Sequence, residues 1–550
     1  MASEGKMEEG PEAPAPNKTV DLDTILTQEL GQFGRYQIIT LLLAALPIMF
    51  SAFASGEYIF TTGRIPSRCL IPECDGPSPE FSPPWKPNAI PRPDGSFDNC
   101  ARFANSSETN PGSNTCPAWL FDTSRTEECQ EYVYEHTNTV VYDFDMACDE
   151  WKRSQIGSIR TIGTLLVLPI TGYISDRWGR RVALTINAFN TGWIGLVRSF
   201  VNSYEWFLAL EVIESTVGAG AYSSCYILVT ELVGPKYRVV AGATISTLFA
   251  LGQVVLGFIA WGVQPWRTLT QVLYAPQLLV VCYFWILSES VRWLMSKGRY
   301  EESEQILLKV AKTNKKELSQ KSLEALRSTA EAEKNMEKPK EAWLPILVLR
   351  SRTILSRCCV SPIWWITNTL VYYGMNINSV NLVGNSYLNY VVVAAVEIPG
   401  YWTAILLLDR IGRKPVLVCG YWLCAICQFT FAFLPEGNDG LAMAVYLIGK
   451  YCIAVVMTSV YVYTAELYPT KYRHSLFAFS SMIGRLGSIT APLTPALAQE
   501  VWEPLPSVLF GSFALLSGAL IFTTPETLGT TLPDTMEEAE QLKNRRKTTT

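Results

Sequence analysis

The chain has 550 residues, of which 49% are apolar, 12% aromatic and only 17% charged, with a net charge of −5. Its length would suit several soluble domains. The apolar residues instead come in blocks of about 20, enough to cross a bilayer core of roughly 30 Å, which excludes a soluble enzyme and gives no basis for nucleic-acid binding.

Residues 1–35, beginning MASEGKMEEGPEAPAPNK, are polar and proline-rich. They lack the basic-then-apolar pattern of a cleaved signal peptide, so the first span is expected to be an uncleaved anchor behind a cytoplasmic tail. Twelve apolar spans follow: 36–60, 154–174, 182–201, 206–230, 240–263, 269–288, 353–374, 387–408, 415–434, 441–465, 476–498 and 505–524. An all-α polytopic membrane protein follows, because only helices satisfy their own backbone polar groups in lipid. The expected order is a six-helix half (36–288), a polar linker with short helices (289–352), a second six-helix half (353–524) and a tail (525–550). Basic residues crowd the loops after even-numbered spans: Arg177, Arg180 and Arg181; Lys236 and Arg238; Arg410, Arg413 and Lys414; Lys471 and Arg473. The short loops of the other face hold only Arg267, so both termini and the linker are expected to be cytoplasmic.

Residues 61–153 form an extracellular loop on this topology. It holds six cysteines, Cys69, Cys74, Cys100, Cys116, Cys129 and Cys148. An even count in an oxidising compartment reads as disulfides, with 15 pairings open. No CxxC or histidine spacing supports zinc, and no metal or other cofactor is expected. Asn105-Ser106-Ser107 is a glycosylation acceptor on the correct side, whereas Asn17-Lys18-Thr19 lies on the wrong one.

The two halves repeat. ELVGPKYR (231–238) returns as ELYPTKYR (466–473), DRWGRR (176–181) as DRIGRK (409–414), and Ser288-Glu289-Ser290 as Pro525-Glu526-Thr527, at nearly one offset. Parallel duplicates of six helices characterise one transporter architecture. Acids and arginines at equivalent helix ends can pair with each other and with helix dipoles. A latch of the alternating-access cycle is therefore expected from Asp176, Arg177, Arg180, Glu231 and Arg238, and again from Asp409, Arg410, Arg413, Glu466 and Arg473. If the arginines served only to set topology, the matched acids would go unexplained.

Charges inside spans cost roughly 2.5–3.5 kcal/mol at a helix centre, so each is a functional candidate. Glu397 in span 8, two residues before Pro399, and Arg485 in span 11 stand out; Arg160 is expected near the outer end of span 2, free to snorkel. Glu211 and Glu214 in span 4 are less firmly placed. Ring faces attract organic cations. Trp365 and Tyr372 share a face of span 7, Tyr222 and Tyr226 a face of span 4, and Tyr461 in span 10 joins the candidate set. Lipid-facing packing is the plain alternative for any one of them.

GYISDRWGRR (172–181) resembles the signature of the major facilitator superfamily after span 2. Together with the six-cysteine loop, TAELYPTKYR (464–473), SESVRWL (288–294) and PETLGTTLPDT (525–535), the chain resembles the organic ion transporter family, over about residues 30–535. It departs at Ser288 and Val291, where that family usually has prolines. Sugar porters share related signatures, but their long-loop and span 7 features differ. The resemblance implies the twelve-helix fold with pseudo-twofold halves and a central cavity lined at Tyr222, Trp365, Tyr372 and Glu397. It also implies that the span 11 residue sorts substrates, cation carriers having an acid there and anion or carnitine-type carriers an arginine. Arg485 with Glu397, and no span 8 lysine, points to a small zwitterion such as carnitine or a β-alanine derivative, with organic cations and anions as alternatives. A phosphate loop is missing, as is an intramembrane histidine dyad (His136 and His474 are the two histidines), so neither an ATP-driven pump nor a membrane enzyme is expected. The remaining rival is a sensor or adhesion protein on a transporter scaffold. The partners expected are the bilayer and a small organic ion, while a co-transported ion and oligomer contacts through the extracellular loop stay open.

Overall fold

The structure, a computed structural model, describes residues 22–93, 97–106, 116–335, 344–435, 437–470, 472–530, 533 and 536–541. Six helical crossings form each half. In the N-terminal half, span 1 is Arg35–Thr61, span 2 Glu150–Trp178 and span 3 Arg180–Arg198. Span 4 is two helices, Tyr204–Gly218 and Ala221–Leu232, followed by span 5, Arg238–Gly262. Span 6 runs from Trp266–Tyr274 through a tighter 3₁₀ stretch, Ala275–Cys282, to Tyr283–Ile286. Spans 7 to 10 are Arg352–Asn378, Ser386–Ile411, Arg413–Ala432 and Asp439–Leu467. Span 11 is Arg473–Thr490 continued by Thr494–Glu500, and span 12 is Leu505–Ile521.

Seven of the described helices are long and apolar enough to cross a membrane on those criteria alone. Of the others, spans 4 and 11 are broken, spans 3 and 7 are less apolar, and span 12 is apolar but only 17 residues long. Span 4 breaks where side chains would not fit: a Cβ on Gly218 would meet Thr191, and one on Gly220 would meet Thr171. Large apolar side chains, Leu42, Leu279 and Trp285 among them, point outward, as a lipid-facing surface requires.

The six-cysteine loop folds as a small domain at one end of the bundle. Strand β1 (Ser67–Cys69) pairs antiparallel with β4 (Tyr132–Tyr134), and β2 (Ala101–Asn105) with β3 (Phe121–Glu128) across a bulge at Phe103/Ala104. Of the 15 pairings open to the sequence, the structure has Cys69–Cys129, Cys74–Cys116 and Cys100–Cys148. Inside, Arg68 is fully buried. It bonds both Asp75 carboxylate oxygens at 2.8 and 2.7 Å and lies over the Trp85 ring.

The two halves meet at this loop end. Phe60 stacks on Tyr387 and packs edge-on against Tyr390, Gly157 abuts Pro492, and Arg64 donates to Gln499 at 2.7 Å. Further hydrogen bonds join Asn376 to Gln253 and Trp402 to Thr247. No salt bridge among the described residues links the halves.

Candidate functional site

At the opposite end, beside the described linker helices, the repeated motifs build two equivalent clusters. Gly179 (φ 107°) and Gly412 (φ 113°) occupy backbone conformations that favour glycine. A Cβ at either would collide with a carboxylate, that of Glu289 or Glu526. Those carboxylates accept from the backbone N–H groups opening spans 3 and 9: Arg180 at 2.8 Å and Arg181 at 3.2 Å onto Glu289, Arg413 and Lys414 at 3.0 Å onto Glu526. Such N-termini favour anions.

Arg180 pairs with Asp176 at 3.0 Å and Glu231 at 3.5 Å, and Arg413 with Asp409 at 3.2 Å and Glu466 at 3.0 Å. Ser290 bonds Glu231 as Thr527 bonds Glu466. Each cluster closes within its own half. Arg238 does not join the first cluster; it pairs with Asp23 of the N-terminal segment, which also takes Arg292. Arg177 contacts the ring of Trp178, and Arg473 donates to Thr470. Arg410 sits in the last turn of span 8, and Lys471 lies outside the described residues.

Between the halves lies a wall of tyrosines. Tyr222 and Tyr226 stack at 6.4 Å on span 4, and Tyr461 lies 4.7 Å from Trp365. Tyr461 is 42% accessible although protein surrounds it, and it lies within electrostatic range of Tyr226, Tyr373 and Arg485. Tyr461 thus stands where span 10 approaches span 4 of the other half. Trp365, by contrast, is buried: its indole N–H donates to Thr464 at 3.0 Å and its ring packs on Phe477.

Glu397 is fully buried and saturated. It accepts from Lys450 at 2.9 Å, Asn376 at 3.2 Å and Tyr401 at 2.8 Å, and also from Tyr372. Lys450 donates in addition to the Tyr372 carbonyl at 2.9 Å and lies 3.7 Å from that ring. Tyr372 is thus held in the acid's own network and is 3% accessible. Arg485 differs: it is partly exposed, near Tyr373 and Tyr461, and no carboxylate among the described residues lies within ion-pair distance.

Lys450 was missed by the sequence reading, although a basic residue in an apolar span, IGKYCIAVV, is the same signal that singled out Glu397. The snorkelling expectation for Arg160 is wrong. It is buried and pairs with Glu211 and with Glu214 (2.9 Å), because two acids on span 4 face it. Glu57 and Arg198 complete that network and were also missed. Asn105 is exposed at the end of β2, with Ser107 outside the described residues. The remaining cysteines, Cys225, Cys282, Cys358 and Cys419 among them, are free thiols.

A family model described as "Sugar (and other) transporter" matches residues 117–539. The chain is 31% identical over 527 residues to the "Organic cation transporter protein" of Drosophila melanogaster, covering 94% of each. It is 33% identical to solute carrier family 22 member 16 of Xenopus laevis, over 75% of this chain and 73% of that one. To member 6 of Oryctolagus cuniculus it is 28% identical over 94% of each. Among solved structures, the inward open conformation of the xylose transporter XylE from E. coli superposes with a TM-score of 0.62 at 16% identity, covering 92% of this chain and all of that one. At that identity the likeness shows the fold: twelve helices in two pseudo-twofold halves.

Proposed function

The chain belongs to solute carrier family 22, the organic ion transporters of the major facilitator superfamily, and on that premise we propose that it carries small carboxylate-bearing organic ions, amino-acid-like zwitterions foremost. It is a multi-pass membrane transporter and not an enzyme. The observation that supports the substrate reading is a charge imbalance: Arg485 is partly exposed with no carboxylate partner among the described residues, while Glu397 is sealed by Lys450 and three further donors. A substrate carboxylate supplies the missing partner in the short, charge-assisted geometry that guanidinium groups favour.

The cationic end of a zwitterion then meets Tyr222, Tyr226 and Tyr461 rather than Glu397. Ring faces offer about 0.5–2 kcal/mol to an ammonium, more as water is excluded. Carnitine and β-alanine derivatives have this form. The second reading is an organic anion with no cationic end, favoured by the neutralisation of Glu397. Simple organic cations face Arg485 as a like charge.

The transporter sits in the plasma membrane with both termini and the linker cytoplasmic and the cysteine domain outside, glycosylated at Asn105. Alternating access moves the two halves about the tyrosine-lined space. The paired clusters at Arg180 and Arg413 brace each half as it moves, a role narrower than a latch between halves. Tracer uptake in expressing cells tests the substrate class, with β-alanine, carnitine, a dicarboxylate and a quaternary ammonium offered with and without sodium. Uptake of carboxylate-bearing solutes is expected. Uptake of the quaternary ammonium alone would overturn the reading, and surface protein inert to all four would favour a sensor.

A further inference from the structure

Inside the N-terminal half, five ionisable side chains from four spans form one buried network: Glu57 (span 1), Arg160 (span 2), Arg198 (span 3), and Glu211 and Glu214 (span 4). Span 6 adds the hydroxyls of Thr270 and Tyr274. The three carboxylates and Arg198 are at most 1% accessible and Arg160 is 8%. Three acids against two arginines leave one negative charge too many. An uncompensated charge in a low-dielectric interior is costly, and the usual resolution is that a group takes a proton.

The hydrogen bonds identify which group. Glu211 lies within ion-pair distance of both arginines: one oxygen accepts from Arg160, and the other lies 2.6 Å from Arg198 without a hydrogen bond. Glu214 also touches both, at 2.7 and 2.9 Å, and accepts from Tyr274 at 3.1 Å. Glu57 touches Arg198 alone, at 2.9 Å. Its other oxygen lies 2.6 Å from the Thr270 hydroxyl, which is itself 2.8 Å from the Trp266 carbonyl. A threonine hydroxyl has one proton to donate. Given to the carbonyl one turn back, as helical threonines do, it leaves an oxygen facing an oxygen at Glu57. In that arrangement the 2.6 Å contact is made by a proton on the Glu57 carboxyl.

We propose that Glu57 is a proton-binding site, holding the proton that neutralises this network and donating it to Thr270. The site lies at the closure between the halves. Gly56, the residue before it, abuts Tyr390 of the opposite half. Tyr58, the residue after it, lines the crevice at the loop end with Arg64, Arg153, Pro492 and Pro495. Opening that closure brings water to span 1 beside Glu57, so proton release accompanies opening and proton uptake accompanies closing.

Infrared spectroscopy of the full chain in lipid nanodiscs at neutral pH tests this without a substrate. The wild type should show the carbonyl stretch of a buried carboxylic acid. E57Q should lose it while melting at the wild-type temperature, since a glutamine matches a neutral carboxyl in charge and shape. A wild type lacking the band, or an E57Q that keeps it, overturns the assignment. Should E57Q fail to fold, T270V decides: removing the acceptor must shift the band, and an unshifted band overturns the proposal.

Discussion

The two halves share a fold and their termini-end clusters, yet they bury charge differently. The N-terminal half buries five ionisable groups in a network that touches spans 1, 2, 3, 4 and 6. The C-terminal half buries one acid against one lysine, holds buried Arg357 on backbone carbonyls near its linker end, and leaves Arg485 partly exposed. Duplication alone would make these interiors alike. Their divergence separates two tasks: the N-terminal network cross-links helices and carries a proton, while the C-terminal half compensates its own acid and reserves one cation for the substrate.

The sharpest way to break this comparison is Arg198→Gln. Arg198 meets Glu57, Glu211 and Glu214, and breaking a buried ion pair costs about 3–5 kcal/mol. The variant should be nearly absent from the surface by biotinylation. Normal surface expression would mean that the network is dispensable to the fold.

The C-terminal pair should respond in a different way. Lys450→Met alone strands the Glu397 carboxylate and should cost about 3 kcal/mol or more. Lys450→Met with Glu397→Gln removes both charges and should recover most of that loss. A double-mutant cycle on thermal unfolding measures it, and additive losses would refute the pairing.

A smaller effect is expected at the loop domain, which only the N-terminal half carries. Cys74 and Cys116 close a segment of 42 residues in sequence separation. Replacing both with serine should cost about 2–4 kcal/mol of that domain's stability. Non-reducing peptide mapping of the wild type should return the three pairings above.

The smallest effect concerns the N-terminal segment. The hydrogen bond from Ser322, helped by those from Ser319, holds the Glu29 carboxyl below its ordinary value of 4.5 against the opposing effect of burial. A depressed carboxylate contributes its stability above the ordinary value and loses it as pH falls through the lowered one. Amide-exchange protection of residues 22–30 should therefore hold until pH falls below about 4.5 and then be lost, while E29Q is less protected at neutral pH.

Most of the fold was legible because a bilayer imposes a length and a polarity that local sequence must meet. The break in span 4 was not: Gly218 and Gly220 are placed by Thr191 and Thr171 of other helices, which no window over 206–230 contains. The site divided along the same line. Glu397 and Arg485 announce themselves as charges in apolar runs. Which charge faces which depends on tertiary packing, so Lys450 was overlooked and Arg160 misplaced. The repeated octapeptides predicted paired clusters, but only the folded chain shows that Arg180–Glu231 and Arg413–Glu466 each stay within one half, and that Arg238 turns to Asp23.

Arg485 carries the central claim, and uptake by its variants tests it most directly. Arg485→Ala removes the partner proposed for a substrate carboxylate, and a loss of several kcal/mol is several powers of ten in affinity. At equal surface expression, Arg485→Ala should abolish uptake of carboxylate-bearing solutes, and Arg485→Asp should reject them and admit simple organic cations. Should Arg485→Ala transport as the wild type does, or should the wild type already prefer simple cations, the substrate assignment is wrong.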